Sequence, residues 1–143
     1  MSCEQDTAGV LRSAGQKVTP QRMLILSCVR HAQGHLTAGQ ILEEVRRSYP
    51  FIDASTVYRT LASAKDLRLV SETNLGAGDN LYEWSGTDHH HHMICRGCGQ
   101  LSSLEERHLE SLVATLERET GFHADLHHLA IFGLCANCAR AAS

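Results

Sequence analysis

Apolar positions up to Leu67 recur with helical spacing, whereas the runs from Leu69 to Leu75 and from Asn80 to Ser85 read as extended. Val10, Leu11 and Ala14 form a short helical pattern that stops at Gly15, a residue suited to the left-handed position after a helix. Thr19 before Pro20 predicts a helix start. The hydroxyl caps a free N–H, and proline at the first helical position lacks only an N–H that has no use there. Leu24, Ile25, Cys28 and Val29 follow as one buried stripe, with Cys28 as a core residue. Gly34-His35-Leu36 reads as a turn, and Thr37-x-x-Gln40 matches a capping box. Ile41, Leu42 and Val45 give the helix behind that box an apolar face, which ends before Pro50. After a turn at Phe51-Ile52-Asp53, a helix over Ala54 to Leu67 points Val57, Leu61 and Ala64 inward. Its other side carries Thr56, Arg59, Thr60 and Ser63, with Tyr58 nearby. Small hydroxyls beside one long cation suit a helix in a DNA major groove, because short side chains allow close approach. An ordinary solvated face has the same composition.

The two extended runs, joined by Gly76-Ala77-Gly78-Asp79, predict a β-hairpin. Three helices and then a hairpin is the order of a winged helix-turn-helix. Gly86-Thr87-Asp88 is the natural hinge, which separates residues 1–86 from residues 87–143. Past it, His92 to Arg96 and Gln100 to Leu104 are predicted strands around Gly97-Cys98-Gly99. Leu109, Leu112, Val113 and Leu116 give an amphipathic helix stopped by Gly121, and Phe122 to Leu134 is predicted as one long strand. The fold class is α+β: a winged helix-turn-helix followed by a small α/β unit. That second unit has open sheet edges and a modest core, so a zinc ion and dimerisation are the supports it would use.

At 143 residues, 43% of them hydrophobic, the chain can bury a core in one or two small domains. No apolar run is long enough to span a membrane, and Met1 to Thr7 is polar with no cleavable leader, so a cytoplasmic protein is expected. The formal net charge is -3. Residues 1–86 balance nine basic against nine acidic side chains, and residues 87–143 hold four against seven. Any contact with nucleic acid must then come from a local basic patch on the first half.

The most chemically loaded stretch is His89 to Cys98, where four consecutive imidazoles run into Cys95-x-x-Cys98. A second pair, Cys135-x-x-Cys138, lies near the end of the chain. Two such turns, each aiming two sulfurs at one point, read as a tetrahedral four-cysteine zinc site. Two disulfides or a thioredoxin-like dithiol are the other readings. In a strand, alternate residues point to opposite faces, so His90 and His92 share one side while His89 and His91 share the other. That geometry permits two metal sites back to back; an exposed polar strand is the bland alternative. A zinc enzyme would need an ion with an open position and a nearby acid or base. The chain has no H-E-x-x-H, and no H-x-E with P-C-x-x-C. Neither an enzyme nor a small organic substrate is expected. A metal-storage module would not need the helix carrying Tyr58 and Arg59.

Four pieces, in this order, carry a resemblance to the ferric uptake regulator (Fur) family of metal-sensing repressors. They are Lys17-Val18-Thr19-Pro20-Gln21-Arg22, Ser55-Thr56-Val57-Tyr58-Arg59-Thr60-Leu61, His89 through Gly99, and Cys135-x-x-Cys138. The resemblance implies an N-terminal DNA-binding domain, a C-terminal dimerisation domain, and a homodimer on a double-stranded, inverted-repeat operator. Lys17, Arg22, Ser55, Thr56, Tyr58 and Arg59 are the DNA-contacting set it implies, with Tyr58 and Arg59 in the major groove and Lys17 toward the minor groove. Cys95, Cys98, Cys135 and Cys138 would hold structural zinc. His35, Glu83, His90 and His92 match the family's regulatory metal site, and His89, His91, Glu110 and His127 match a further site inside the dimerisation domain. Many iron-sensing members carry an aspartate at the position of His91 and a carboxylate near that of Ser103; this chain has neither. Zinc-sensing members often place a cysteine just before the histidine run, where this chain has Glu83 and Trp84. The His-Glu-His-His set suits Fe(II), Mn(II) or Zn(II), and iron is the expected regulatory ion. Zinc-uptake and peroxide- or manganese-sensing regulators are the alternatives.

Overall fold

Three side-chain oxygens start the three helices that build the core of the first unit. Thr19 caps α2 (Pro20–His31) by accepting the Arg22 N–H at 3.2 Å, with Pro20 in the first turn. Thr37 and Gln40 form both bonds of a capping box on α3 (Ala38–Ser48). Asp53 caps α4 (Ala54–Asp66) by accepting the Ser55 N–H at 2.8 Å. Each cap satisfies an N–H that the helix itself cannot. The computed structural model describes residues 3–74, 78–85, 91–126 and 129–143, in two compact units, Met1–Gly86 and Thr87–Ser143. Among the described residues no helix is long and apolar enough to cross a membrane.

In the first unit, α1 (Cys3–Ser13) precedes α2 and begins several residues before the short helical pattern expected at Val10, Leu11 and Ala14. The core gathers Leu11, Ile25, Leu26, Val29, Ile41, Val45, Val57, Leu61 and Val70, each no more than 2% exposed. Truncating one of these, as in Leu61→Ala, removes about 2–5 kcal/mol of stability. Three positions differ from the expected stripes: Leu24, Cys28 and Leu42 are only half-buried, and Leu26 takes the inner place on α2. A helix wedged between neighbours on two sides buries a wider arc than one stripe.

A three-stranded antiparallel sheet closes this unit in the order β1 (Leu36–Thr37), β3 (Leu81–Trp84), β2 (Val70–Thr73). The hairpin of β2 and β3 is the expected wing. Strand β1 was not expected; Leu36 lies opposite Tyr82, where the sequence read only a turn. Two residues are too short to carry a period, so only their partner reveals them. Glu72 ties the wing to α4 by accepting from Lys65 Nζ at 2.6 Å, from Asn80 Nδ2, and from Tyr82 Oη at 3.3 Å. Burial alone would raise the Glu72 carboxyl, but the bonds from Lys65, Asn80 and Tyr82 and the Lys65 charge outweigh it and hold it below its ordinary value. The contribution of the ionised group is therefore present above the usual glutamate value of about 4.3 and is lost as pH falls through the lower folded value. With intrinsic exchange rates allowed for, the protection of β2 and β3 amides should fall as pH drops below about 4. In Glu72→Gln the exchange should be faster at neutral pH and lose this pH step; an unchanged acid response in that variant would contradict the role of Glu72.

The second unit contains β4 (His91–Cys95), β5 (Leu101–Leu104), a 3-10 turn (Glu106–His108), α5 (Glu110–Thr120), β6 (Ala130–Gly133) and α6 (Ala136–Ala141). Strand β4 is central, antiparallel to β5 and parallel to β6. The long strand predicted from Phe122 to Leu134 shrinks to β6, because β4 offers only four residues for β6 to pair with. Helix α6 was missed; six residues, half of them alanine, form a helix on propensity without an apolar period. Gly121 ends α5 at φ 69°, as expected. The apolar side of α5 is less covered than its spacing implied: Leu109, just before it, is buried, but no residue of the helix is, and Leu112 is 47% exposed.

Candidate metal centre and nucleic-acid interface

The parallel register of β4 and β6 sets Cys95 beside Gly133, two residues before Cys135. Arg96 N–H donates to the Gly133 carbonyl at 2.8 Å, and Gly99 N–H donates to the Cys95 carbonyl at 2.9 Å, which closes the first C-x-x-C turn. The Cys135 N–H points at Cys95 Sγ from 3.2 Å. All four cysteines are free thiols, and their sulfur atoms lie within 4.8 Å of one another. Cys98 and Cys135 sulfurs are 3.9 Å apart. Zn–S bonds near 2.3 Å at tetrahedral angles separate sulfurs by about 3.8 Å, so the cluster fits one tetrahedral ion. Two disulfides are not formed.

Gly97 makes this closure possible, since a Cβ there would stand 2.9 Å from Cys138 Sγ. The backbone N–H of Cys135, then that of Cys98, lowers the Cys95 thiol to about 6, while thiol hydrogen bonds from Cys135, Cys95 and Cys98 push Cys138 up to about 12. The cluster thus ionises in steps: amide donors stabilise the first thiolate, and the crowded last thiol keeps its proton unless a cation joins it.

The β1–β3 register brings His35 to Glu83, the residue pair next beyond Leu36 and Tyr82. His35 Nε2 and a Glu83 carboxylate oxygen are 3.0 Å apart, with both side chains less than one-fifth exposed. Trp84 follows Glu83, and the Arg30 guanidinium stands over its ring at 5.1 Å while donating to Thr7 Oγ1 at 3.0 Å. In the second unit, His92 is 4% exposed on β4, between Ser103 of β5 and Ala130 of β6. His91, its neighbour on the opposite strand face, is fully buried, and its Nδ1 accepts the Leu129 N–H at 3.0 Å. An accepting Nδ1 puts the proton of the neutral ring on Nε2. Glu110 is exposed at the first position of α5. His89, His90 and His127 lie outside the described residues.

On α4 the exposed stripe runs through Ser55, Tyr58, Arg59 and Ala62, at i, i+3, i+4 and i+7. It is rotated by about one residue from the stripe expected through Thr56, Arg59, Thr60 and Ser63. Thr60 is buried at 3% exposure, and Thr56 is half-buried. Ser63, also half-buried, donates its hydroxyl to Gln16 Oε1. Tyr58 is 56% exposed. The Ser55 hydroxyl donates to Asp53 at 2.7 Å; this bond, then the Ser55 N–H, holds the Asp53 carboxyl below its ordinary value. Lys17 is exposed in the segment between α1 and α2. Arg22 instead folds back, with Nη1 donating to the Lys17 carbonyl at 3.0 Å and to Gln16 Oε1 at 3.4 Å. Spacing cannot reveal such a role for Gln16, whose partner Ser63 is 47 residues away.

Comparison with known proteins agrees with this arrangement. The sequence model of the Ferric uptake regulator family matches residues 13–132. The ferric uptake regulation protein of Campylobacter jejuni is 31% identical over 131 residues, 90% of this chain and 83% of that protein. The peroxide-responsive repressor PerR of Staphylococcus saprophyticus is 31% identical over 134 residues, 94% of this chain and 90% of that protein. Among solved structures, the ferric uptake regulator of Pseudomonas aeruginosa with manganese superposes with a TM-score of 0.76 at 26% identity, over 94% of this chain and 99% of that one. The family match runs from the end of α1 into β6 and takes in the capped helices, the wing and the first cysteine pair; the chain belongs to the ferric uptake regulator family of metal-responsive, DNA-binding regulators.

Proposed function

We propose that this chain is a homodimeric, cytoplasmic repressor that binds an inverted-repeat operator when its regulatory site holds a divalent ion, and that Fe(II) is the ion sensed. The observation that carries the metal-sensing part is the His35–Glu83 pair, a nitrogen and an oxygen donor 3.0 Å apart at the end of the wing. His90 and His92 complete the proposed ligand set from the second unit. No thiolate enters it, a composition that Fe(II), Mn(II) and Zn(II) all accept. A bound ion would supply the positive charge that joins these donors. Because the ligands come from both sides of Gly86, they favour one arrangement of the units over others, by the difference in ion affinity between the arrangements.

Cys95, Cys98, Cys135 and Cys138 are proposed to hold a structural zinc, with no open position for chemistry. Lys17, Ser55, Tyr58 and Arg59 are the proposed DNA contacts, while Arg22 supports the Lys17 segment. Dimerisation is proposed through the second unit, whose Met93, Leu112, Phe122, Ile131 and Leu134 are all more than 40% exposed. The further set, His89, His91, Glu110 and His127, takes an ion only if His91 gives up its bond from Leu129. Peroxide sensing is the second reading, since PerR and the iron regulator are equally similar to this chain, at 31% identity each.

Trp84, the single tryptophan, adjoins Glu83 and reports directly on the site. Anaerobic Fe(II) titration of protein retaining only its structural metal should change Trp84 emission with one saturable transition. Glu83→Gln and His92→Ala should each raise its midpoint at least about tenfold, the loss that even an outer-shell partner of a ligand causes. Midpoints equal to wild type would remove these residues from the site.

A further inference from the structure

Gln16 occupies a position where three elements meet. Its backbone N–H donates to the Leu11 carbonyl at 2.9 Å, closing the C-terminus of α1 behind Gly15, which has φ 71°. Its side-chain oxygen accepts the Ser63 hydroxyl of α4 and, at 3.4 Å, the Arg22 guanidinium of α2. The same Arg22 nitrogen reaches the Lys17 carbonyl at 3.0 Å. The segment between α1 and α2 is thus tied at consecutive residues: Gln16 through its side chain, Lys17 through its backbone. Lys17 itself remains exposed. Ser63 lies on the flank of α4 and not on its exposed stripe, so the bond leaves Tyr58 and Arg59 unobstructed.

We infer that Gln16 is a positioning residue of the DNA-binding face, its side-chain oxygen fixing the Lys17 segment to the flank of the helix that carries Tyr58 and Arg59. The inference rests on the DNA contacts proposed above and adds to them a residue that itself touches no DNA. An exposed lysine on an untethered segment loses entropy when it docks on a phosphate; tethering its backbone at two adjacent residues removes part of that loss in advance. One acceptor oxygen shared by Ser63 and Arg22 also makes the distance between Lys17 and the exposed stripe a fixed quantity. A duplex read by both must match that distance.

The test uses the full chain with its structural metal and saturating Fe(II), and a duplex that the wild-type protein selects from a random-sequence library. Gln16→Leu keeps the side chain's size and removes the acceptor. Ser63→Ala removes the same bond from the other end, in a residue whose replacement favours the helix. Both should weaken binding by at least roughly tenfold and lower the salt slope by about 2, the signature of one lost phosphate contact in each protomer of the dimer. Lys17→Ala should do the same, and Gln16→Leu added to Lys17→Ala should cost nothing further. The Fe(II) midpoint read from Trp84, and the melting temperature of Ser63→Ala, should stay at wild-type values.

Wild-type affinity and salt slope in Ser63→Ala and Gln16→Leu would overturn the inference. So would losses that add fully to those of Lys17→Ala, since Gln16 would then act elsewhere. A wild-type chain that selects no duplex would overturn the regulatory reading itself, and this inference with it.

Discussion

Replacing Cys135 with serine is expected to unfold the second unit while the first stays folded. Among its described residues, the only buried hydrophobic side chains of the second unit are Ile94, Cys95 and Leu109. A core that small cannot offset the entropy of ordering the chain. The structural ion proposed for the four cysteines has to supply the difference, and such ions contribute an apparent 10–16 kcal/mol, about as much as a whole domain's stability. The Cys135 sulfur lies 3.9 Å from that of Cys98, where the two cysteine pairs meet, so its loss opens the shell, whereas the serine keeps the backbone N–H that points at Cys95. Native mass spectrometry should find one zinc per chain in the wild type and none in Cys135→Ser. Limited proteolysis should then cut residues 87–143 in the variant and spare α2 to α4. Chelation of the wild type at elevated temperature should give the same cleavage. A variant that loses zinc yet stays protected would show that apolar packing, not the ion, holds this unit.

The second large effect is expected from Tyr58→Phe combined with Arg59→Ala. Both side chains stand on the exposed stripe of α4, and their removal uncovers no core. Each base or phosphate contact is worth about 1–3 kcal/mol, so the pair should weaken operator binding by at least about 100-fold. Melting temperature and ion binding should not change. Fluorescence anisotropy with a labelled duplex measures the loss; retained binding would move the DNA-reading face away from α4.

Sequence reasoning succeeded where structure is set by neighbours along the chain. Thr19-Pro20, Thr37-x-x-Gln40 and Gly121 are local devices, and each acts at its expected helix end. The cysteine pairs were equally readable, because two sulfurs three residues apart already form half a shell. Apart from α6, which forms on local propensity without an apolar period, the failures are contacts made at a distance. The outward stripe of α4 was misphased by one residue because the surroundings that bury Thr60 and turn Ser63 to Gln16 leave no trace in the local pattern. Strand β1 exists only as a partner of β3, yet it is what carries His35 to Glu83. The strand expected from Phe122 was too long because its length is set by β4. The α5 pattern pointed to burial that only Leu109 shows, with Leu112 47% exposed and Val113 and Leu116 half-buried, because a period marks a face as apolar without saying what covers it.

Metal-switched DNA binding is tested most directly by titrating the protein, stripped of every ion but the one proposed for the four cysteines, with Fe(II), Mn(II) and Zn(II) under anaerobic conditions. Anisotropy of the selected duplex is the readout at each free-ion concentration. No specific binding is expected without added ion, and Fe(II) should switch binding on at a free concentration where the His35→Ala and Glu83→Gln variants remain unbound. Equal operator affinity with and without ion, or a switch that survives both substitutions, would contradict it.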